Sequence, residues 1–253
     1  MNTVAIVQAR MTSTRLPGKV LLDVMGRSML SYQLERVSRV EAIDRIVIAT
    51  TTNAADDPVA SFAETGGFGL YRGSENDVLG RFQEAAEAHV ADTVVRLTAD
   101  CPLADPEVID LLIRRYREAA PACDYATNGI PRSYPAGLDA EIFSRSVLEI
   151  AAREATNPYD REHVTPFLYR NPQRFRLLSV VHESNLSAER WTLDEPGDFA
   201  LIRRVIEALY PENPEFRMGD VVALLDVHPD WRELNRAVQE RPRIVEHTVF
   251  KGD

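Results

Sequence analysis

The sequence has no apolar run near the roughly 20 residues that would cross a bilayer, so no membrane-spanning helix is expected. Met1 to Val7 opens straight into a strand-like pattern and shows no secretory-leader order of basic, apolar and small residues. The cytoplasm is the expected compartment. Cysteine is scarce: Cys101 and Cys123 are too few for a disulfide framework, and neither has His or Cys nearby at zinc-ligand spacing. Lysine is rarer relative to its counterpart, with Lys19 and Lys251 standing against 27 arginines. A chain that selects arginine almost everywhere keeps a lysine at position 19 either by chance or because a site needs a compact ammonium there. The GxxxxGK[ST] phosphate loop and the GxGxxG dinucleotide fingerprint are both missing, and so is any Asp-x-Asp pair. The net charge of -10 argues against a broad basic face for nucleic acid. It does not argue against a nucleotide gripped by cations gathered in one loop.

The 253 residues, 45% hydrophobic and 27% charged, suit a globular α/β unit with a substantial core. Residues 3–8, TVAIVQ, read as a buried strand, and residues 9–19 as a polar loop ending in Pro17-Gly18. A helix over 28–40 with Ser28 as N-cap follows, then a strand at 45–50 and a helix starting near Pro58. A short strand at 68–72, a helix over 77–90, a strand at 93–98 and a helix over 105–119 complete the first half. This alternation predicts a mostly parallel sheet with helices on both faces. Ligands bind beyond the carboxyl ends of such strands, so the loops after residues 8, 50 and 98 are expected to share one crevice. The second half predicts turns over 124–143, helices over 144–155 and 159–170, strands at 174–181 and 190–194, and helices over 196–209 and 218–225. The tail from 229 reads as charged and peripheral.

Five constellations carry candidate chemistry. Arg10, Arg15 and Lys19 lie in one loop after a buried strand, which is either a triphosphate grip or a solvated basic loop. Asp100, in Thr98-Ala99-Asp100-Cys101-Pro102, and Asp194, in Arg190-Trp191-Thr192-Leu193-Asp194, each end a predicted strand. Two such acids either hold a hard cation with the help of substrate phosphates or simply cap the helices that follow. Arg72-Gly73-Ser74-Glu75-Asn76-Asp77 suits a ribose or base edge, or a plain turn into an N-cap. Arg161, Glu162 and His163 crowd one helical turn and either contact an acceptor or form a polar face. Tyr134-Pro135-Ala136-Gly137-Leu138-Asp139 is a candidate second wall for the same pocket.

In order along the chain, QARMTSTRLPGKVL, ATTTN, RGSENDVLGRF, RLTADCPLADPEVID, SYPAGLDAE, NPYDREHVTPF and RWTLDEPGDFALIR resemble the SpsF-type spore coat polysaccharide cytidylyltransferases, relatives of the CMP-Kdo and CMP-acylneuraminate synthetases. The likeness covers roughly residues 2–210. It implies a GT-A-like nucleotidyltransferase fold over 1–215, with a small β-rich acceptor or dimerisation extension near 124–190, and a homodimer; beyond the likeness, residues 216–253 read as a peripheral helical tail. It implies that CTP and an anionic sugar-like acceptor give a CMP-linked product and pyrophosphate, with Mg²⁺. By the same resemblance Arg10, Lys19 and Asp100 serve catalysis, and Arg10, Lys19 and Arg15 hold the triphosphate. Ala9 offers backbone groups to cytosine, and Thr50, Gly73, Ser74 and Asp77 line the nucleoside pocket. Asp100 and Asp194 hold the metal, while Tyr134, Asp139, Glu162 and His163 face the acceptor. One departure is Thr12 where the family pattern has Gly, since a β-branched residue resists positive φ. The rival readings are a GT-A glycosyltransferase consuming a nucleotide-sugar, which usually carries Asp-x-Asp, and a non-catalytic nucleotide-binding protein, which would have shed the site charges.

Overall fold

The computed structural model describes residues 1–239. The first half alternates as expected: β1 (Thr3–Gln8), the short pair β2 (Asp23–Val24) and β3 (Arg27–Ser28), α1 (Met29–Val37), β4 (Arg45–Thr51) and α2 (Asp57–Thr65). It continues through β5 (Gly69–Gly73), α3 (Val78–Ala88), β6 (Thr93–Thr98) and α4 (Pro106–Ala119). Local chemistry sets the helix starts. The Ser28 hydroxyl accepts from Ser31 N, the Asp77 carboxylate from Gly80 N, and the Asp105 carboxylate from Glu107 N with Pro106 at the first turn. Each cap satisfies a donor that the helix itself leaves unpaired.

The second half contributes β7 (Tyr125–Thr127), β8 (Glu141–Ser144), α5 (Arg145–Glu154), α6 (Pro158–His163), α7 (Pro166–Tyr169), β9 (Leu177–Ser179), α8 (Pro196–Leu209) and α9 (Met218–Val227). Its strands extend the main sheet, whose order is β5-β4-β1-β6-β8-β7-β9. β1 is parallel to β4 and β6, β4 to β5, and β7 to β9, while β8 runs antiparallel to β6 and β7. Gln8 registers with both Ala49 and Thr98, so β1 and β6 end level while β4 runs on to Thr51, and the loops that follow all open at the same end of the sheet.

Three predicted stretches differ. Residues 124–143, read as turns, also carry β7 and the start of β8, which pair with each other in the main sheet. The helix over 159–170 breaks at Val164, which adopts φ 73. Pro166 has no N–H to continue the helix and sits at the first turn of the next one, so the chain restarts as α7. Residues 190–194 form only an isolated bridge, Arg190 with Ala136, and no strand, because their hydrogen-bond partners change along the segment. Trp191 N donates to Ala136 O at 2.6 Å and Leu193 N to Asp100 O at 2.7 Å.

Helices cover the sheet on both faces around two apolar clusters, and a third cluster joins α8 and α9 to Tyr32, Leu138, Trp191 and Leu193. The segment expected to be peripheral from residue 216 is therefore built into the fold: Phe216, Val221, Leu225 and Asn235 are all buried. Burying a side chain of this size contributes about 1.5–3 kcal/mol, enough to hold the segment in place. The remainder of that predicted tail, residues 240–253, lies outside the described residues.

Gly137 shows how the second half supports the first. It has φ +108, and a Cβ there would lie 2.5–2.6 Å from the backbone of Trp191 and Thr192. The Tyr134–Asp139 turn thus lies directly against the chain that carries Asp194. Gly137→Ala is expected to destabilise the protein by about 2–4 kcal/mol, combining backbone strain with a backbone clash. Chemical denaturation measures it, and unchanged stability would refute this packing role.

Candidate active site

The N-terminal loop is anchored at both ends. Ala9 N donates to Ala49 O at 3.2 Å, and Met11 N donates to the buried Asp56 carboxylate at 2.6 Å. Asp56 also receives the Thr51 hydroxyl. Gly18 adopts φ 68 and donates to Met11 O at 3.0 Å, which closes the loop. Thr12 has no positive φ, so its β-branched side chain meets no backbone conflict, and its hydroxyl donates to Glu75 at 3.1 Å.

This loop forms one wall of a cavity of about 480 Å³ at the carboxyl ends of β1 and β6. Ala9, Arg10, Arg15, Lys19, Asp100, Glu162, His163 and Asp194 all line it, so most of the predicted site residues converge. At its centre the Lys19 ammonium sits 2.9 Å from Asp100 Oδ2 and 2.9 Å from Asp194 Oδ1. Arg15 reaches the same Asp194 oxygen at 3.1 Å, and Arg190 holds the other at 3.0 Å. The Asp100 carbonyl accepts from Leu193 N and the Thr192 hydroxyl. That backbone junction is what draws the two acids, one from each half of the chain, onto one ammonium.

The charges keep one another ionised. Burial opposes ionisation of Lys19, but Asp100 and Asp194 outweigh it and raise its pKa. Burial likewise opposes the Asp194 carboxylate, yet Lys19, Arg15 and Arg190 hold it below the ordinary carboxylate range. Arg10 is exposed and has no ion pair among the described residues, so it is available to an anion entering the cavity. Arg81, whose Nε has no hydrogen-bond partner, also faces it. Burial first, then the Arg10 charge, lower the Arg81 pKa. At the rim, partial desolvation outweighs the Glu162 carboxylate and pushes the His163 imidazole below its ordinary pKa.

Six predicted residues do not line this cavity. Gly73 and Ser74 support Arg81, which does line it, while Asp77 is committed to Arg161 behind the lining. A Cβ at Gly73 would press on Arg81 at 3.1 Å, Ser74 O accepts from Arg81 Nη1 at 2.5 Å, and Asp77 accepts from Arg161 Nε and Nη2. Thr50 is buried in β4, with its hydroxyl unpartnered. Tyr134 is buried under the Gly137 turn, and Asp139 pairs with Arg132 at 2.6 Å.

Sequence reading missed Gln8, Arg81 and Arg96 in the cavity lining. Arg96 donates to Gln8 Oε1 at 3.2 Å and pairs with Glu141. A signal existed for both arginines, since each interrupts an apolar pattern: Arg96 lies within TVVRLT and Arg81 between Leu79 and Phe82. Such a charge has to be satisfied or to serve a ligand.

Two carboxylates that already share one cation suit a hard divalent ion by oxygen chemistry. Among the described residues no cluster of three or more His, Cys, Asp or Glu offers a complete metal cage. An ion held by one or two carboxylates is typically completed by waters and substrate phosphates.

A family model described as Cytidylyltransferase matches residues 4–213. The chain is 32% identical to the spore coat polysaccharide biosynthesis protein SpsF of Bacillus subtilis, over 89% of this chain and 94% of that one. It is 35% identical to a 3-deoxy-manno-octulosonate cytidylyltransferase of Pelobacter propionicus over 45% of this chain and 44% of that one. The structure of a cytidylyltransferase from Leptospira borgpetersenii superposes with a TM-score of 0.88 at 31% identity, covering 97% of this chain and all of that one.

Proposed function

The chain belongs to the cytidylyltransferase family, and from this we propose that it transfers CMP from CTP to an anionic sugar-like acceptor, with release of pyrophosphate, in the synthesis of surface polysaccharide or glycoconjugate precursors. That it is an enzyme, a CTP-dependent nucleotidyltransferase, follows from membership; the acceptor and the pathway are the proposal. The observation that carries it is the Lys19 ammonium held between Asp100 and Asp194, beside an uncommitted Arg10.

An entering triphosphate competes with the two carboxylates for Lys19, and Arg10 supplies a second cation on the same side. Arg15, at the mouth, assists. Lys19 and Arg10 then stabilise the charge that grows on the departing pyrophosphate, the role in which preorganised cations lower a barrier most. The acceptor oxygen forms its bond to the α-phosphorus as the bond to pyrophosphate breaks, so the two substrates must be held in line. Ala9 presents its backbone to the base. Glu162 and His163 face the acceptor, where the lowered imidazole pKa favours the neutral form of His163. The residues that would hold Mg²⁺ are Asp100 and Asp194, and the ion would supply Lewis-acid polarisation of the phosphate. Cytoplasmic location, which rests on the sequence pattern of the N-terminus and the lack of a long apolar run, and a homodimer, which rests on the family resemblance, complete the reading. No described helix is long and apolar enough to cross a membrane.

The test is pyrophosphate release with each of the four nucleoside triphosphates and Mg²⁺, against a panel of sugar acids and other anionic sugars. Release with CTP and one acidic acceptor is expected. Release only with neutral acceptors would overturn the acceptor class. Equal release with all four triphosphates would overturn the CTP preference.

A further inference from the structure

Asp194 does not set its own orientation. Its Oδ2 is held by Arg190 Nη2 at 3.0 Å, which leaves Oδ1 turned towards Lys19. Arg190 is in turn clamped by Asp198, which accepts from its Nε and Nη2, both at 2.9 Å. Asp198 is fully buried, and its Oδ2 also accepts from the backbone N of Asp194 at 3.1 Å and of Glu195 at 3.0 Å. Asp198 thus fixes Asp194 twice, through the main chain directly and through the side chain by way of Arg190.

The last member comes from beyond the region matched by the family model. Asn235, buried, donates from Nδ2 to Asp198 Oδ1 at 3.1 Å and to the Arg190 carbonyl at 2.9 Å. The segment carrying it is seated firmly. The Leu234 carbonyl rests where a side chain at Gly197 would stand, and Arg232 pairs with Glu189 at 2.7 Å. We infer that Asn235 is a positioning residue for the reaction: through Asp198 and Arg190 it holds the Asp194 carboxylate in the orientation that receives a divalent cation. The inference rests on the reading above that Asp100 and Asp194 hold the metal.

Two variants test it. Asn235→Asp keeps the shape but turns a donor into a carboxylate facing Asp198 and a carbonyl. Asn235→Leu keeps bulk with no hydrogen bond. Outer partners of a metal ligand commonly alter metal affinity or activity by about 10–100-fold. Mn²⁺ affinity of the CTP complex, read by electron paramagnetic resonance, is expected to fall by about tenfold or more. The Mg²⁺ concentration for half-maximal turnover is expected to rise in step. CTP affinity in a chelator, which depends on Arg10 and Lys19, is expected to hold. Wild-type Mn²⁺ affinity in both variants overturns the inference, and so does a parallel loss of metal-free CTP affinity, which would mark general loosening. Should neither variant fold, Arg190→Lys keeps the charge but loses the fork on Asp198, and the same Mn²⁺ loss is required of it. Asp194→Asn is run alongside. Wild-type Mn²⁺ affinity there overturns the metal reading itself, whereas a loss there with none at position 235 overturns the inference alone.

Discussion

Lys19→Ala is expected to lower kcat/KM for CTP by about 10²–10³-fold, roughly 3–4 kcal/mol of transition-state stabilisation, and to raise the affinity of the nucleotide-free protein for a divalent cation. The two effects have opposite sign because Lys19 has two partners at different stages. Without nucleotide its ammonium occupies the space between Asp100 and Asp194, 2.9 Å from each. On the proposed function, a bound nucleotide would draw it to phosphate oxygens, where it would stabilise the leaving pyrophosphate. Removing it takes a cation from the transition state and leaves two carboxylates facing each other, an arrangement that a divalent ion relieves. Steady-state kinetics read the first effect and Mn²⁺ titration of the nucleotide-free protein the second. Near-wild-type turnover would remove Lys19 from the chemistry. Lost turnover with unchanged metal affinity would mean that the ammonium does not guard the metal position.

Asp100→Asn is expected to produce the complementary pattern. Its kcat/KM falls by a similar ~10²–10³-fold, on the scale of a lost electrostatic group at a preorganised site, while CTP binding in a chelator stays the same or tightens. The amide keeps the shape and still accepts the Thr98 hydroxyl, now 2.6 Å from Asp100 Oδ1, so the fold should be little disturbed. What changes is competition for Lys19, since the ammonium loses one of its two carboxylate partners and meets a phosphate more readily. Calorimetry of CTP binding with and without Mg²⁺ separates these effects. Weaker metal-free binding in Asp100→Asn would show that Asp100 positions Lys19 and does not compete with phosphate for it.

The complementary signs matter because either variant alone is open to a simpler account. A site disrupted in general loses nucleotide and metal together. A site organised around one shared ammonium loses them separately, and in opposite directions for the cation and for its anionic partner. Arg190 and Asp198 are not interchangeable with the central residues in this respect. They touch Asp194 from the side away from Lys19, and a buried pair broken on one side leaves an uncompensated charge that lowers stability as well as activity.

Much of this was legible along the chain. Strict alternation of apolar strands and amphipathic helices over the first 120 residues determines a parallel sheet, because no other arrangement buries both faces of such strands. The level ends of that sheet then place the loops after Gln8 and Thr98 in one crevice, so the company of Arg10, Lys19 and Asp100 follows from connectivity and the rule for α/β sheets. Caps at Ser28, Asp77 and Asp105 were readable because a cap acts within one turn of its own backbone. The single lysine among so many arginines in that half also pointed to its own site.

Only the tertiary structure decided the rest. Asp194 reaches Lys19 because Leu193 and Thr192 hydrogen-bond the Asp100 carbonyl, a junction between halves of the chain that no local periodicity encodes. Asp77 was readable as a cap and also as a pocket residue; its ion pair with Arg161 assigns it to support, since a carboxylate already committed to two nitrogens has little left for a ligand. Arg96 and Arg81 entered the cavity, and Asn235 came to rest under Asp198, for the same reason. Sequence patterning specifies which face of an element is buried, whereas the partner of a buried polar group is set by whatever distant segment the fold brings within hydrogen-bond reach.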